Sequence, residues 1–291
     1  MSTVLITGSS TGIGLATAVT LGRAGHRVYA TMWNPDGAPE LGDIAAKESL
    51  PIEISRMDVD STESVAEAVG QVLDSAGSIE VLVNNAGVPG AGPVAELPLE
   101  EFKKVMETNF FGALRCIQAV LPAMTRHREG CIVNVSSVAG RLAGTPMAAY
   151  AASKFALEAA SEALAQEVKP FNIRVALVEP GVIATPIFGK YRDSPKHTPY
   201  PGERRIMALF QTSLEQPVSP FVVAERIKDI VSSGSWRLRH PVGPDAESIM
   251  QWRADMSDEA WVDWWAVEDD EIWCAQVERD LGIDVRPHLK D

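Results

Sequence analysis

Cysteine is scarce and unpatterned in this chain of 291 residues: Cys116, Cys131 and Cys274 stand far apart and are odd in number. That spacing offers neither a disulfide framework nor a metal-binding knuckle. Three buried free thiols in a reducing compartment are expected, and no metal centre. Long apolar runs are missing as well. None approaches the ~18 residues of a spanning helix, and no basic, apolar leader precedes the first apolar run, Val4-Leu5-Ile6. A cytoplasmic protein without membrane contact is the expectation. Positive charge is in deficit: 26 Lys and Arg stand against 39 Asp and Glu, a formal net charge of −13. A surface of that sign repels phosphates, which argues against a nucleic-acid partner. Internal repeats and low-complexity linkers are also lacking.

What the chain has is alternation. Short β-branched runs (4–7, 27–31, 52–57, 79–83, 131–135 and 174–178) are separated by helical patterns (12–24, 64–76, 100–125 and 150–169). Strands alternating with helices require crossover connections, and so a parallel sheet buried on both faces. The expected fold is α/β, a doubly wound parallel sheet, over residues 1–245. Residues 181–220, rich in Pro, Gly and aromatics, follow the sixth strand at its carboxyl end and read as an irregular substrate cover.

The last stretch differs in composition. From Asp245 onward there are fourteen acidic and four basic residues, and five of the seven tryptophans: Trp252, Trp261, Trp264, Trp265 and Trp273. Residues 246–291 are therefore treated as a C-terminal helical extension. Ser257-Asp258-Glu259 is a good helix start. Trp261, Trp264, Trp265, Ile272, Trp273 and Val277 offer an apolar stripe. It serves either to pack the helix on its own domain or to build a lid or subunit contact.

Thr7-Gly8-Ser9-Ser10-Thr11-Gly12-Ile13-Gly14 joins the first strand to the first helix. Glycines there permit a tight turn and let backbone approach a phosphate, which the helix N-terminus then attracts. A merely tight turn is the alternative, and the spacing departs from Gly-x-Gly-x-x-Gly. Asp58, with Val59 after the third strand, could accept a hydrogen bond from an adenine amino group; alone it reads as a turn or cap residue. Asn84-Asn85-Ala86-Gly87 closes the fourth strand with small residues beside a ribose and amides able to hold backbone together. Tyr150 and Lys154 are four apart on a helical pattern, so they share one face. A free phenol titrates near ~10, and a nearby ammonium favours its phenolate. Ser137, just past the fifth strand, could hold a substrate oxygen. Asn109, amid Phe and Gly on the long helix, would need partners if buried. Singly, each of these residues has a structural reading.

Together, and in this order, they resemble the short-chain dehydrogenase/reductase superfamily over roughly residues 3–245. Thr7-Gly8-x-x-x-Gly12-x-Gly14 is similar to its cofactor loop, and Asn84-Asn85-Ala86-Gly87 to its fourth-strand motif. Asn109, Ser137, Tyr150 and Lys154 are similar to its catalytic tetrad. Pro180-Gly181 with Thr185 is similar to its nicotinamide-side motif. The resemblance implies a Rossmann fold, a nicotinamide dinucleotide, and interconversion of an alcohol and a ketone or aldehyde with Tyr150 as acid/base. Ser137 would steady the oxygen, Lys154 lower the phenol's pKa and bond ribose hydroxyls, and Asn109 support a water relay. Cofactor contacts would come from Gly8, Ser10, Thr11, Gly12, Ile13, Gly14, Trp33, Asp58, Val59, Asn85, Ala86, Gly87, Pro180, Gly181 and Thr185. It also implies a homodimer or homotetramer.

The second strand runs into Thr31-Met32-Trp33-Asn34, with neither the acid that favours NAD nor the base that favours NADP. The preceding Val28-Tyr29-Ala30-Thr31 resembles the same run in NADP-using members of the family, though Trp33 stands where they carry an Arg; the resemblance tilts the expectation to NADP(H), with NAD(H) left open. Ile187, Phe188, Tyr191, Tyr200, Met207, Leu209 and Phe210 in the cover suit an apolar small molecule. Lys190, Arg192, Lys196, Arg204 and Arg205 against Asp193, Glu203 and Glu215 read as a solvated loop. The alternative function is a cofactor-sensing regulator without chemistry, which would be expected to lack the Tyr-Lys pair.

Overall fold

Every β-branched run in the sequence becomes a strand of one sheet. The computed structural model describes residues 1–190, 199–200 and 202–289. The first half comprises β1 (Thr3–Ile6), α1 (Gly12–Arg23), β2 (Arg27–Met32), α2 (Glu40–Glu48), β3 (Ile52–Arg56), α3 (Thr62–Ala76) and β4 (Val81–Asn84). The second half continues with α4 (Leu99–Met106), a π-helical turn (Glu107–Phe111), α5 (Gly112–His127), β5 (Gly130–Val135), α6 (Ala148–Val168) and β6 (Ile173–Pro180). Then follow α7 (Gly202–Leu214), α8 (Phe221–Ser233), β7 (Arg239–Val242), α9 (Ala246–Ala254), α10 (Asp258–Trp265) and α11 (Asp270–Leu281).

The sheet has the order β3-β2-β1-β4-β5-β6-β7, and its pairs are parallel. Val4 and Ile6 enter the apolar layer on one face with Val83, Val133 and Val178; Leu5 enters the other with Leu82 and Ile132. Burial on both faces is why these strands read as unbroken apolar runs. The strand order reverses between β1 and β4, which opens a crevice beyond their carboxyl ends. The loops after β1, β4, β5 and β6 converge there. The three cysteines are buried and free. Among the described residues no helix is long and apolar enough to cross a membrane.

The structure corrects the reading of residues 181–220 as irregular. They contain α7, whose Ile206, Ala208 and Leu209 are buried in a third apolar cluster with Met147, Trp264, Trp273 and Val277. Nor is the charge on this segment all solvated. Arg205 is 1% exposed. Its guanidinium donates to Asp270 Oδ1 at 2.9 Å and to the Glu268 carbonyl at 2.9 Å, and lies 5.2 Å from the Trp273 ring centre. A guanidinium buried with that many acceptors ties α7 to the turn between α10 and α11. Tyr191, Arg192, Asp193 and Lys196 lie outside the described residues. One tail helix starts as its sequence predicts, with Ser257 Oγ accepting from Ala260 N at 3.2 Å; a second start, where Asp269 Oδ1 accepts from Ile272 N at 2.9 Å, is not among those expected from the sequence. Ile272 departs from the expected stripe and is exposed.

Candidate functional site

The glycine loop is built to bring backbone close. Gly8 has φ +67 and Gly12 φ +58, a left-handed region that favours glycine. A Cβ on Gly8 would meet Ala86 Cα at 2.7 Å, and one on Gly12 would meet Thr185 Cβ at 3.2 Å. Thr7 Oγ1 accepts from Asn85 N at 3.0 Å and Ala86 N at 2.9 Å. The Asn85 amide donates back to the carbonyls of Thr7 and Gly8 at 3.0 and 2.9 Å. The loops after β1 and β4 thus form one rigid piece, with Asn85 in the backbone-holding role that its amide offers. At the mouth of that piece the N-cap of α1, Thr11, makes no side-chain capping bond, and the first turn carries no acidic residue. Uncapped N–H groups at the positive end of a helix suit a phosphate, so these residues fit a dinucleotide's pyrophosphate.

Tyr150 lies in the first turn of α6, and Lys154 follows one turn on. Lys154 Nζ stands 5.6 Å from the Tyr150 ring centre and donates to the Val135 carbonyl, at the end of β5, at 2.9 Å. Ser137 follows β5; its hydroxyl hydrogen-bonds the Tyr150 phenol and accepts from Ala139 N at 3.1 Å. Burial pushes the Tyr150 phenol up to about 12, and the Ser137 hydrogen bond opposes that rise. Burial lowers the Lys154 ammonium to about 8, against the attraction of Glu158. Without a cofactor the phenol thus lies above its ordinary value, because desolvation outweighs the Ser137 hydrogen bond.

Asn109 sits in the π-helical turn, 1% exposed. Its amide donates to the Val88 carbonyl and to Ser153 Oγ, both at 3.0 Å, and its oxygen accepts from Val88 N at 2.8 Å. The partners that its burial demanded are thus backbone and a hydroxyl of α6. It braces the loop after β4 against the helix that carries Tyr150. π-Turns of this kind are frequent at functional sites.

One cavity of about 970 Å³ joins these parts. Gly8, Ser10, Thr11, Gly12 and Ile13 line it, with Trp33, Asp58 and Val59, then Asn85, Ala86 and Gly87. Ser137, Tyr150 and Lys154 lie on the same wall system, as do Pro180, Gly181 and Thr185. Gly14 and Asn109 are not on the wall. Gly14 stands behind the loop, where a Cβ would meet the Gly8 carbonyl and the Asn85 amide nitrogen. Of the expected cover residues, Ile187, Phe188, Leu209 and Phe210 line the cavity.

Sequence reasoning missed Asp245. Its Oδ2 accepts from Val182 N at 2.8 Å, beside Gly181, and only the fold brings them together. Trp252, Trp261 and Trp265 also line the cavity, a position open to the tail in its lid alternative; Trp252 lies outside the expected stripe. Trp261 Nε1 donates to the Ala143 carbonyl at 2.8 Å, on the loop that links Ser137 to Tyr150.

Comparison with known proteins gives a consistent picture. The family described as short chain dehydrogenase matches residues 2–196. A retinol dehydrogenase 8 from Bos taurus is 44% identical over 205 residues, 69% of this chain and 65% of the relative. This chain thus spans just under two thirds of that relative's length. The solved structure of a short-chain dehydrogenase from Streptomyces avermitilis is 32% identical, with TM-score 0.77, over 90% of this chain and 96% of that one. An actinorhodin polyketide ketoreductase solved with NADPH is 30% identical, with TM-score 0.75, over 84% of this chain and 97% of that one.

Proposed function

The chain belongs to the short chain dehydrogenase family, oxidoreductases that bind NAD(P), and from that premise we propose that it interconverts an apolar alcohol and its ketone or aldehyde, with Tyr150 as acid/base. The carrying observation is the joining of two features in one cavity: a glycine cradle fit for a pyrophosphate, and Tyr150 flanked by Ser137 and Lys154. When bound, the nicotinamide supplies the hydride in reduction and accepts it in oxidation. Tyr150 gives its phenolic proton to the carbonyl oxygen in reduction; as phenolate it takes the hydroxyl proton in oxidation. A phenol held near 12 rests protonated at neutral pH, the form that reduction consumes. Oxidation draws on positive charge to reach the phenolate, and Lys154, titrating at about 8, still supplies it at neutral pH. Ser137 steadies the reacting oxygen, and Asn109 holds the surrounding loops through Val88 and Ser153.

The cofactor reading tilts to NADP(H). Thr11 and Trp33 on the cavity wall carry no charge, so no carboxylate at these positions selects for the NAD ribose. The similar polyketide ketoreductase was solved with NADPH. The test is to mix the protein with NADPH or NADH and a panel of apolar ketones and follow the nicotinamide absorbance. Ketone-dependent loss of the reduced band is expected, faster with NADPH. Cofactor binding with no turnover of any ketone or alcohol would instead identify a nucleotide-sensing protein.

A further inference from the structure

The stretch that leaves β6 joins the two halves of the site. At its near end the Pro180 carbonyl lies 3.5 Å from Ser137 Oγ, the hydroxyl bonded to Tyr150. At its far end Thr185 lies against the glycine loop, where a Cβ on Gly12 would meet Thr185 Cβ at 3.2 Å. Gly181, Val182 and Ile183 line the cavity between those ends. A dinucleotide with its pyrophosphate on the glycine loop must pass along this stretch to bring its reactive ring to Tyr150.

Three bonds from outside hold the stretch in place. Gly181 N donates to the Val242 carbonyl at 3.0 Å, and Ala184 N to the Val218 carbonyl at 2.9 Å. Between them Val182 N donates to Asp245 Oδ2 at 2.8 Å. Two of these acceptors are backbone, and the third is a charged side chain. Asp245 begins α9, where an aspartate ordinarily accepts from the free N–H groups of its own helix. It makes no such cap. Its carboxylate turns back into a space kept by two glycines. A Cβ on Gly181 would fall on that carboxylate, and one on Gly243, at φ +111, would stand 2.9 Å from Oδ1. Oδ1 is buried there and finds no hydrogen-bond donor among the described residues. A forgone cap and a buried oxygen without a donor both cost stability, so packing alone does not account for an acid at this position.

We propose that Asp245 is a positioning residue for the nicotinamide half of the cofactor: it fixes the 181–185 stretch through Val182 and sets beside it a negative charge that favours the oxidised, positively charged ring. This rests on the oxidoreductase reading above and adds to it a residue from the corner between β7 and α9.

The other charges on the cavity wall leave this role open. Asp58 and Asp60 follow β3, and Lys104 stands four residues before Thr108, which donates to Asp60. Asp280 is paired through both oxygens with Arg279 at 2.7 Å. Among the described wall residues, Lys154 beside Tyr150 and Asp245 beside Gly181 are the charges at the reacting end. The Lys154 ammonium disfavours a second positive charge there, and the Asp245 carboxylate offsets it. Away from bulk water such an interaction is only partly screened.

The experiment measures binding by the full chain. Calorimetric titration with NADP+ and with NADPH gives the ratio of their Kd values; NAD+ and NADH replace them if the parent binds that pair more tightly. Asp245→Asn keeps the size and the acceptor for Val182 N but loses the charge. Its NADPH affinity is expected to stay within about twofold of the parent, while NADP+ binding weakens about fivefold, so the ratio shifts by about that factor. Asp245→Ala loses the acceptor too. Both forms are then expected to bind at least about tenfold more weakly, with the same shift in ratio. In the ligand-free proteins, hydrogen exchange at the Val182 amide is expected to be parent-like in Asp245→Asn and at least about tenfold faster in Asp245→Ala. Melting curves show which variants are folded, and Asp245→Asn, of equal size, carries the test should Asp245→Ala not fold. A purely structural aspartate would weaken both forms in step, so a parental ratio in folded Asp245→Asn overturns the proposal. So does a folded Asp245→Ala with parental exchange at Val182. A parent that binds neither form of either cofactor overturns the oxidoreductase reading, and this one with it.

Discussion

Tyr150 stands between opposite demands, because the burial that makes it a selective proton donor also makes its phenolate costly. Its position was legible at the residue scale: a phenol one helical turn before an ammonium, with Ser137 thirteen residues earlier, is a readable constellation. Its environment was not. The burial that lifts it to about 12 comes from α7 and the tail as well as from its own helix, and no local pattern reports contacts across a hundred residues. Tyr150→Phe is expected to keep cofactor binding and to lose about 10²–10⁴-fold in turnover, the usual worth of a positioned acid. An ultraviolet difference titration of parent against Tyr150→Phe, without cofactor, should show this phenol ionising far above the ordinary tyrosine range. Near-normal turnover in the variant would contradict the assignment, and ionisation near ~10 would contradict the effect of burial on this phenol.

At the scale of elements, what could be read were the parts with their own periodicity. The strands came through because burial on both faces makes them continuously apolar, and α1, α3 and α6 because long helices repeat their pattern. α7 was hidden. Its buried face includes Arg205, a charged residue that no apolar count would place inside. β7, Arg-His-Pro-Val, was hidden too, since an edge strand tolerates proline and charge. The glycine loop is the element whose fit is tightest. Gly14 is the joint between α1 and the loop itself, and a Cβ there would strike the Gly8 carbonyl and come within 2.5 Å of the Asn85 amide nitrogen. Gly14→Ala must shift one of them, and Asn85 is what ties the β1 loop to the β4 loop. The expected cost is about 1–3 kcal/mol of stability, together with at least about tenfold weaker cofactor binding, measured by urea unfolding and calorimetry. A variant as stable and as tight-binding as the parent would show that the joint has slack.

For the whole molecule, the sequence reported net charge but not where charge is trapped. Two buried carboxylates, Glu158 and Glu179, and the partly exposed guanidinium of Arg239 tie α6, β6 and β7 together behind the site. Glu179, 1% exposed at the end of β6, has Oε1 3.5 Å from Arg141 Nη1 and 4.0 Å from Arg239 Nε. Arg239 is shared with Glu158 at 2.9 Å and with Glu162 at 2.7 Å, so its charge is divided. Burial first, and then repulsion from Glu158, push the Glu179 carboxyl up to about 7, against the pull of Arg141 and Arg239. Between the ordinary glutamate value of 4.5 and about 7, the folded chain keeps a proton that the unfolded chain has released. Where the folded state binds more protons, stability falls as pH rises. Below that window Glu179 contributes no pH dependence; within it stability declines; above about 7 the loss is complete. Glu179→Gln cannot ionise and should remove this part of the decline. Urea unfolding at steps from about pH 5 to about pH 8 is expected to give a steeper fall for the parent than for the variant. The absolute stabilities are not the test, because the variant also gives up attraction to two guanidiniums. The slopes are, and parallel slopes would mean that Glu179 is already ionised in the folded chain throughout this range, with Arg141 and Arg239 outweighing its burial.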